Sequence, residues 1–193
     1  MNLDNRVIYI GVDPGKDGYI TVYKNGRFLF FPMPEHKVET GKFLKNGKPQ
    51  MKTVFHEAGL VTLKNDLHNI CNGYVVKACL EEVGGRGGWS ATNNFNFGHT
   101  AGLQKFILMT LTPNVLMVRP QKWQSAVRQG YPDIKKSSST GKTMISDPKA
   151  VAKVIVDAEY PNIDFRKTEK SKVDHDGKID SFLICLYLMR QDG

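Results

Sequence analysis

Asp13 and Glu81 are carboxylates set at the ends of apolar runs, and Asp176 and Asp180 flank the start of an apolar helical stretch. Acids that converge from separate segments bind hard divalent cations such as Mg²⁺ through oxygen. Two such ions, about 3.5–4 Å apart, hydrolyse a phosphodiester by activating water at one and stabilising the leaving oxygen at the other. The chemistry to look for is therefore metal-dependent phosphodiester cleavage.

The local setting of each acid leaves alternatives. Asp13 follows the β-branched run Val7-Ile8-Tyr9-Ile10-Gly11-Val12 and precedes Pro14-Gly15, which ends a strand. An Asp that closes an Asx-turn would look the same. Glu81 ends the run Val75-Val76-Lys77-Ala78-Cys79-Leu80, where an acid is costly unless paired. Its neighbour Glu82 must point to the opposite sheet face, and local sequence does not choose between them. Asp176 and Asp180 are four apart, so they share a helix face. Asp174 or Asp176 would also serve as a helix N-cap, whereas Asp180 lies too far inside the helix for that role. His175 is a further candidate ligand or proton carrier.

The elements that must carry these acids read as follows. Strands are expected at 7–12, 19–23 and 27–31, the last two joined by Asn25-Gly26, a strong hairpin signal. Residues 34–54 are polar and turn-rich, which suggests a loop or a small excursion. Helical spacing covers about 55–70, a strand 74–80, a helix 97–111, a strand 115–118, and helices 121–129, 148–159 and 177–190. Gly84 to Gly88 should be flexible, and the Ser-rich basic stretch within 130–147 reads as a mobile loop. Three meander strands followed by alternating strands and helices imply a single α/β domain over 1–193, with a mixed five-stranded sheet and helices on both faces. No internal repeat is apparent.

With 193 residues and 40% hydrophobic content, the chain suffices for one domain with a real core. Cys71, Cys79 and Cys185 are odd in number and form no C-x-x-C, which argues against a disulfide framework or a zinc site. No long apolar run suggests a membrane span, and no secretory pattern opens the chain, so a cytoplasmic protein is expected. The net charge is +8, and its distribution is uneven. From Arg119 to Lys172 there are twelve Lys and Arg against six Asp and Glu. Such a concentration suits a polyanionic partner, and a solvated basic loop is the simpler alternative.

Five segments together resemble the RuvC-like Holliday junction resolvases, especially their small bacteriophage members, within the RNase H-like superfamily. They are Ile10-Gly11-Val12-Asp13-Pro14-Gly15, Cys79-Leu80-Glu81-Glu82-Val83, Asn96-Phe97-Gly98-His99-Thr100-Ala101-Gly102, Val118-Arg119-Pro120-Gln121-Lys122-Trp123 and Asp176-Gly177-Lys178-Ile179-Asp180-Ser181. They occur in the family's order across nearly the whole chain. The resemblance selects Glu81 over Glu82. It implies an RNase H-like fold and a homodimer that nicks four-way DNA junctions symmetrically. It also implies two Mg²⁺ ions per site, replaceable by Mn²⁺, held by Asp13, Glu81, Asp176 and Asp180. A phage-encoded chain would act in the cytoplasm of a bacterial host. Bacterial members space the final acids by three, so Asp174 or His175 stand as alternatives to Asp176. The stretch 34–54 is expanded against the bacterial pattern, and glycines replace an aromatic wedge after the catalytic Glu.

Phosphate contacts by Lys and Arg would position such a substrate. The candidates are Arg86, Lys122, Lys135, Lys136, Lys142 and Lys178, of which Lys178 adjoins the acids. Gly141-Lys142-Thr143 lacks the first Gly of a phosphate-binding loop and is not one. An actin-like or sugar-kinase phosphotransferase needs two domains, for which the chain is too short. A non-catalytic DNA-binding module would not need the acids, and a nuclease for RNA–DNA hybrids or flaps would share them.

Overall fold

Strand β1 (Val7–Val12) alternates between two environments, and this alternation organises the fold. Ile8, Ile10 and Val12 enter one apolar cluster, while Tyr9 packs against the other. The computed structural model describes residues 6–15, 17–85 and 87–192. β1 pairs antiparallel with β2 (Tyr19–Lys24), which pairs antiparallel with β3 (Arg27–Pro32). The β2–β3 turn runs through Asn25 and Gly26, both at positive φ, as a two-residue hairpin of this kind requires.

After β3 the chain leaves the sheet as a hairpin of β4 (Glu35–Phe43) and β5 (Pro49–Phe55), which pair only with each other. The stretch read as a loop or excursion is thus an ordered two-stranded arm. The chain returns through α1 (Glu57–Cys71) to β6 (Val75–Glu81), parallel to β1. Helix α2 (Ala91–Met109) leads to β7 (Val115–Val118), parallel to β6. Sheet order is β3-β2-β1-β6-β7, the mixed five-stranded α/β sheet expected from the sequence.

α3 (Pro120–Val127) starts on a proline, which is pre-set for a first helical turn. A short hairpin of β8 (Lys135–Ser137) and β9 (Met144–Ser146) follows, so the stretch expected as a mobile loop holds paired strands. α4 (Pro148–Glu159) and α5 (Asp176–Asp192) complete the chain. α1 and α2 cover one sheet face, with Leu60, Leu63, Leu67, Ile107 and Leu108 on Ile8, Ile10, Ala78 and Leu80. α3, α4 and α5 cover the other, with Trp123, Ile155 and Phe182 beside Cys79 and Val118.

α2 begins six residues earlier than apolar spacing indicates. Its first turns are largely exposed, so they carry no apolar stripe, and Ser90 caps them by accepting from the Asn93 amide at 3.2 Å. α5 lies so close to β1 that a Cβ on Gly11 would fall 2.3 Å from the Cys185 nitrogen. Only glycine permits that approach. A buried hydroxyl pair, Thr21 with Ser181 at 2.8 Å, ties α5 to β2. Among the described residues no helix is long and apolar enough to cross a membrane.

Candidate active site

β1 and β6 run parallel with Val12 opposite Leu80, so Asp13 and Glu81 leave the sheet side by side at the carboxyl ends of adjacent strands. Ligands of open α/β sheets gather at this edge. Strand alternation also sets their direction. Asp13 is in phase with Tyr9 and Gly11, and Glu81 with Lys77 and Cys79, all on the side where α5 packs. Glu82 points the other way, is exposed, and pairs with Arg119 at 3.3 Å. Geometry therefore separates the two glutamates that local sequence leaves equivalent.

Helix α5 brings the other two acids. Its second residue, Gly177, lies against the β1 end, where an added Cβ would sit 2.9 Å from Asp13 Oδ2 and 2.7 Å from the Asp17 carbonyl oxygen. Asp176 opens the helix, and Asp180 follows one turn later. Asp180 is partly covered, and its carboxyl is pushed up to about 7, first by burial and then by the negative charges of Glu81 and Asp176. Lys149 and Arg128 oppose the shift without cancelling it.

Each neighbour of this acid group makes a defined contact. Glu81 is buried and accepts a hydrogen bond from the indole Nε1 of Trp123 at 2.8 Å. Asp176 is paired with the Lys149 ammonium, whose pKa the pairing raises. Asp180 lines a cavity of about 270 Å³ with Trp123, Arg128, Lys136 and Lys149. Among the described residues no three His, Cys, Asp or Glu side chains converge closely enough to hold a metal ion. Two of the acids are instead held by donors at hand, Glu81 by Trp123 and Asp176 by Lys149. The group still fits a hard divalent cation, because its donors are oxygens and the upward shift of Asp180, caused first by burial, is increased by the negative charges of Glu81 and Asp176, which a cation would neutralise.

The remaining sequence candidates scatter. Asp174 pairs with Lys153 at 2.6 Å. His175 packs on Tyr19 with ring centroids 5.0 Å apart, and burial pushes its pKa down. Lys178 does not face the acids. Its ammonium donates to the carbonyls of Asp164 at 2.6 Å and Arg166 at 3.2 Å and lies over the Phe30 ring. Helical geometry explains this placement, since residue 178 is two positions from both acids and so lies on a different side of α5. Lys122 is exposed on α3, and Lys135, Lys136 and Lys142 belong to the β8–β9 hairpin. Lys136 bonds to Asp147 at 3.2 Å beside the cavity. Arg86 lies outside the described residues.

Sequence reasoning missed Lys149 and Arg128 and gave Trp123 no role. One signal was present for Lys149. It sits in the first turn of α4, where the helix dipole opposes a cation. A lysine there is better explained by an external acid than by its own helix.

No protein-family model matches the chain. No curated protein matches it either. Among solved structures it is similar to the yeast mitochondrial Holliday junction resolvase Ydc2, at 15% identity and a TM-score of 0.47. That similarity spans 96% of this chain and 78% of the other. A likeness of this degree carries no argument about activity.

Proposed function

We propose that the chain is a metal-dependent endonuclease that cuts branched DNA, four-way junctions above all. What supports this reading is that Asp13 and Glu81 end neighbouring strands, that the start of α5 packs against Asp13, and that Asp180 on α5 feels the charges of Glu81 and Asp176. Acids grouped at such cost, with one carboxyl held near neutrality, are better suited to binding cations than to stabilising a fold. Mg²⁺ or Mn²⁺, two per site, would supply an activated water and a stabilised leaving oxygen.

The chain's own residues have separable tasks in this reading. Asp13 and Glu81 are fixed by the sheet, so they define the site's position. Asp176 and Asp180 complete it from α5. Trp123 holds the Glu81 carboxylate in one orientation. Lys149 occupies Asp176 when no cation competes, and lies ready to meet a phosphate when one does. Lys122, Lys135, Lys136 and Lys142 supply contacts to the DNA backbone, and Lys136 lines the same cavity as Asp180.

Symmetric nicking of a four-way junction requires two copies. Helix α2 offers a surface for pairing: Phe95, Phe106 and Met109 are all exposed, at spacings that fall on one face with Gly98 and Gly102. An apolar stripe of this kind on a monomer marks an interaction site.

The test is to offer four-way junctions, Y-forks, RNA–DNA hybrid and linear duplex side by side in Mg²⁺. Paired nicks in the four-way junction, with at least tenfold slower cutting of linear duplex, are expected. Preferred cutting of hybrid would replace this reading with a hybrid-directed nuclease. Binding without any cutting would reduce it to a DNA-binding module.

A further inference from the structure

The β4–β5 arm is left unused by everything above. Its base is anchored: the His56 amide donates to the Pro34 carbonyl at 2.9 Å, the His36 and His56 rings meet edge to face, and Lys167 pairs with Glu35 at 2.9 Å. Its outer half touches nothing comparable. Every residue from 41 to 52 is exposed. Four of these are lysines (Lys42, Lys45, Lys48 and Lys52), and none is acidic. The tip is a tight turn, closed by the Leu44 amide donating to the Lys48 carbonyl at 2.8 Å, with Gly47 at φ 76°. At that tip stand Phe43, 72% exposed, and Leu44, 48% exposed, with Met51 behind them at 47%.

Lysines alone would be explained as protection of exposed strand edges against aggregation. That explanation fails for the apolar tip, because an exposed Phe-Leu pair works against solubility. Cations flanking an exposed aromatic and aliphatic pair match a different partner. Phosphates take the lysines, and unstacked bases take the apolar groups. A strand of nine residues also reaches about 30 Å, enough to cross a duplex from an anchor on the body.

We propose that the β4–β5 hairpin is a DNA-engaging arm: Lys42, Lys45, Lys48 and Lys52 neutralise backbone phosphates, and Phe43 and Leu44 insert against unstacked bases at a branch point. This rests on the reading that the chain acts on branched DNA, and it goes further by assigning branch recognition to residues remote from the acids.

The test uses the full chain in Ca²⁺, with a synthetic four-way junction carrying 2-aminopurine at its centre and a linear duplex of the same sequence. Changing the four lysines together to Ala is expected to weaken binding to both DNAs about 10–100-fold near 100 mM salt. It should also flatten the plot of log affinity against log salt by about 2–4. Phe43→Ser with Leu44→Ser is expected to leave duplex affinity within about twofold. The same pair should weaken junction binding about 5–50-fold and abolish the 2-aminopurine fluorescence rise. All substituted positions are exposed, so an unchanged thermal midpoint is the folding control. A shortened arm joining Thr40 to Gln50 through Asn-Gly gives the same readouts should the point variants misfold. If the wild type binds the junction and the lysine variant shows the same affinity and salt slope, the arm assignment is overturned while the nuclease reading stands. Loss of self-association with DNA binding unaltered overturns it in favour of an arm that grips a second copy. A wild type that binds neither DNA overturns both.

Discussion

The indole Nε1 of Trp123 donates to Oε2 of Glu81 across 2.8 Å in a buried setting, linking α3 to the end of β6. A buried carboxylate deprived of a donor keeps its desolvation penalty, which for a charged group exceeds about 1–3 kcal/mol. Trp123→Phe retains most of the packing and removes only the donor. The variant is expected to lose stability by about 2 kcal/mol. Urea unfolding of the variant beside the wild type measures the loss, and unchanged stability would refute a role for this hydrogen bond.

That hydrogen bond also shows where sequence reading stops. Runs with strand and helix periods located the five sheet strands and the five helices, because periodicity follows directly from which faces are buried. Position at a strand end pointed to Asp13 only together with the resemblance, since an Asx-turn Asp would look the same. The resemblance likewise chose Glu81 over Glu82, and the phase of β6 relative to α5, which depends on long-range packing, is what separates the two in the structure. Lys149 and Trp123 contact acids that are 27 and 42 residues distant in sequence, and no local pattern encodes such contacts. Lys178 is a related case: it is near Asp176 and Asp180 in sequence, while helical rotation turns it to the carbonyls of Asp164 and Arg166.

Asp180 gives a pH signature. Its carboxyl is held at about 7 in the fold against 3.8 for the free group. The folded chain therefore binds more protons than the unfolded chain between those values, so stability falls as pH rises through about 4 to 7 and stays reduced above. Asp180→Asn should raise the melting temperature of the metal-free protein at pH 8, by an amount equivalent to at most about 4 kcal/mol. It should change little at pH 4. A variant destabilised at pH 8 would contradict the account of Asp180 as a destabilising charge.

The same repulsion predicts a response to metal. A divalent ion neutralises the acids and competes with protons for them, so Mg²⁺ should raise the melting temperature more at pH 8 than at pH 5. Lys149 competes with the ion for Asp176, so Lys149→Ala should bind Mg²⁺ at least as tightly as the wild type by calorimetry while cutting DNA more slowly. Weaker Mg²⁺ binding by that variant would show that Lys149 supports the metal site rather than competing with it.

Self-association is tested on α2. Phe106→Glu places a charge in the exposed apolar stripe without entering the core, since Phe106 is 64% exposed. Sedimentation is expected to show a dimer for the wild type and a monomer for the variant, with the monomer unable to make paired nicks. A wild type that is monomeric both free and on junction DNA would remove the dimer from the account.

The carboxylates bear the central claim. Asp13→Asn and Asp180→Asn each keep the shape of the side chain and remove its charge. Cleavage of a synthetic four-way junction in Mg²⁺, measured beside binding of the same junction in Ca²⁺, is the most direct test. The account predicts that either substitution lowers cleavage by at least about 10³-fold, equivalent to about 4 kcal/mol, with binding changed less than about threefold. Cutting retained within about tenfold in both variants would contradict it.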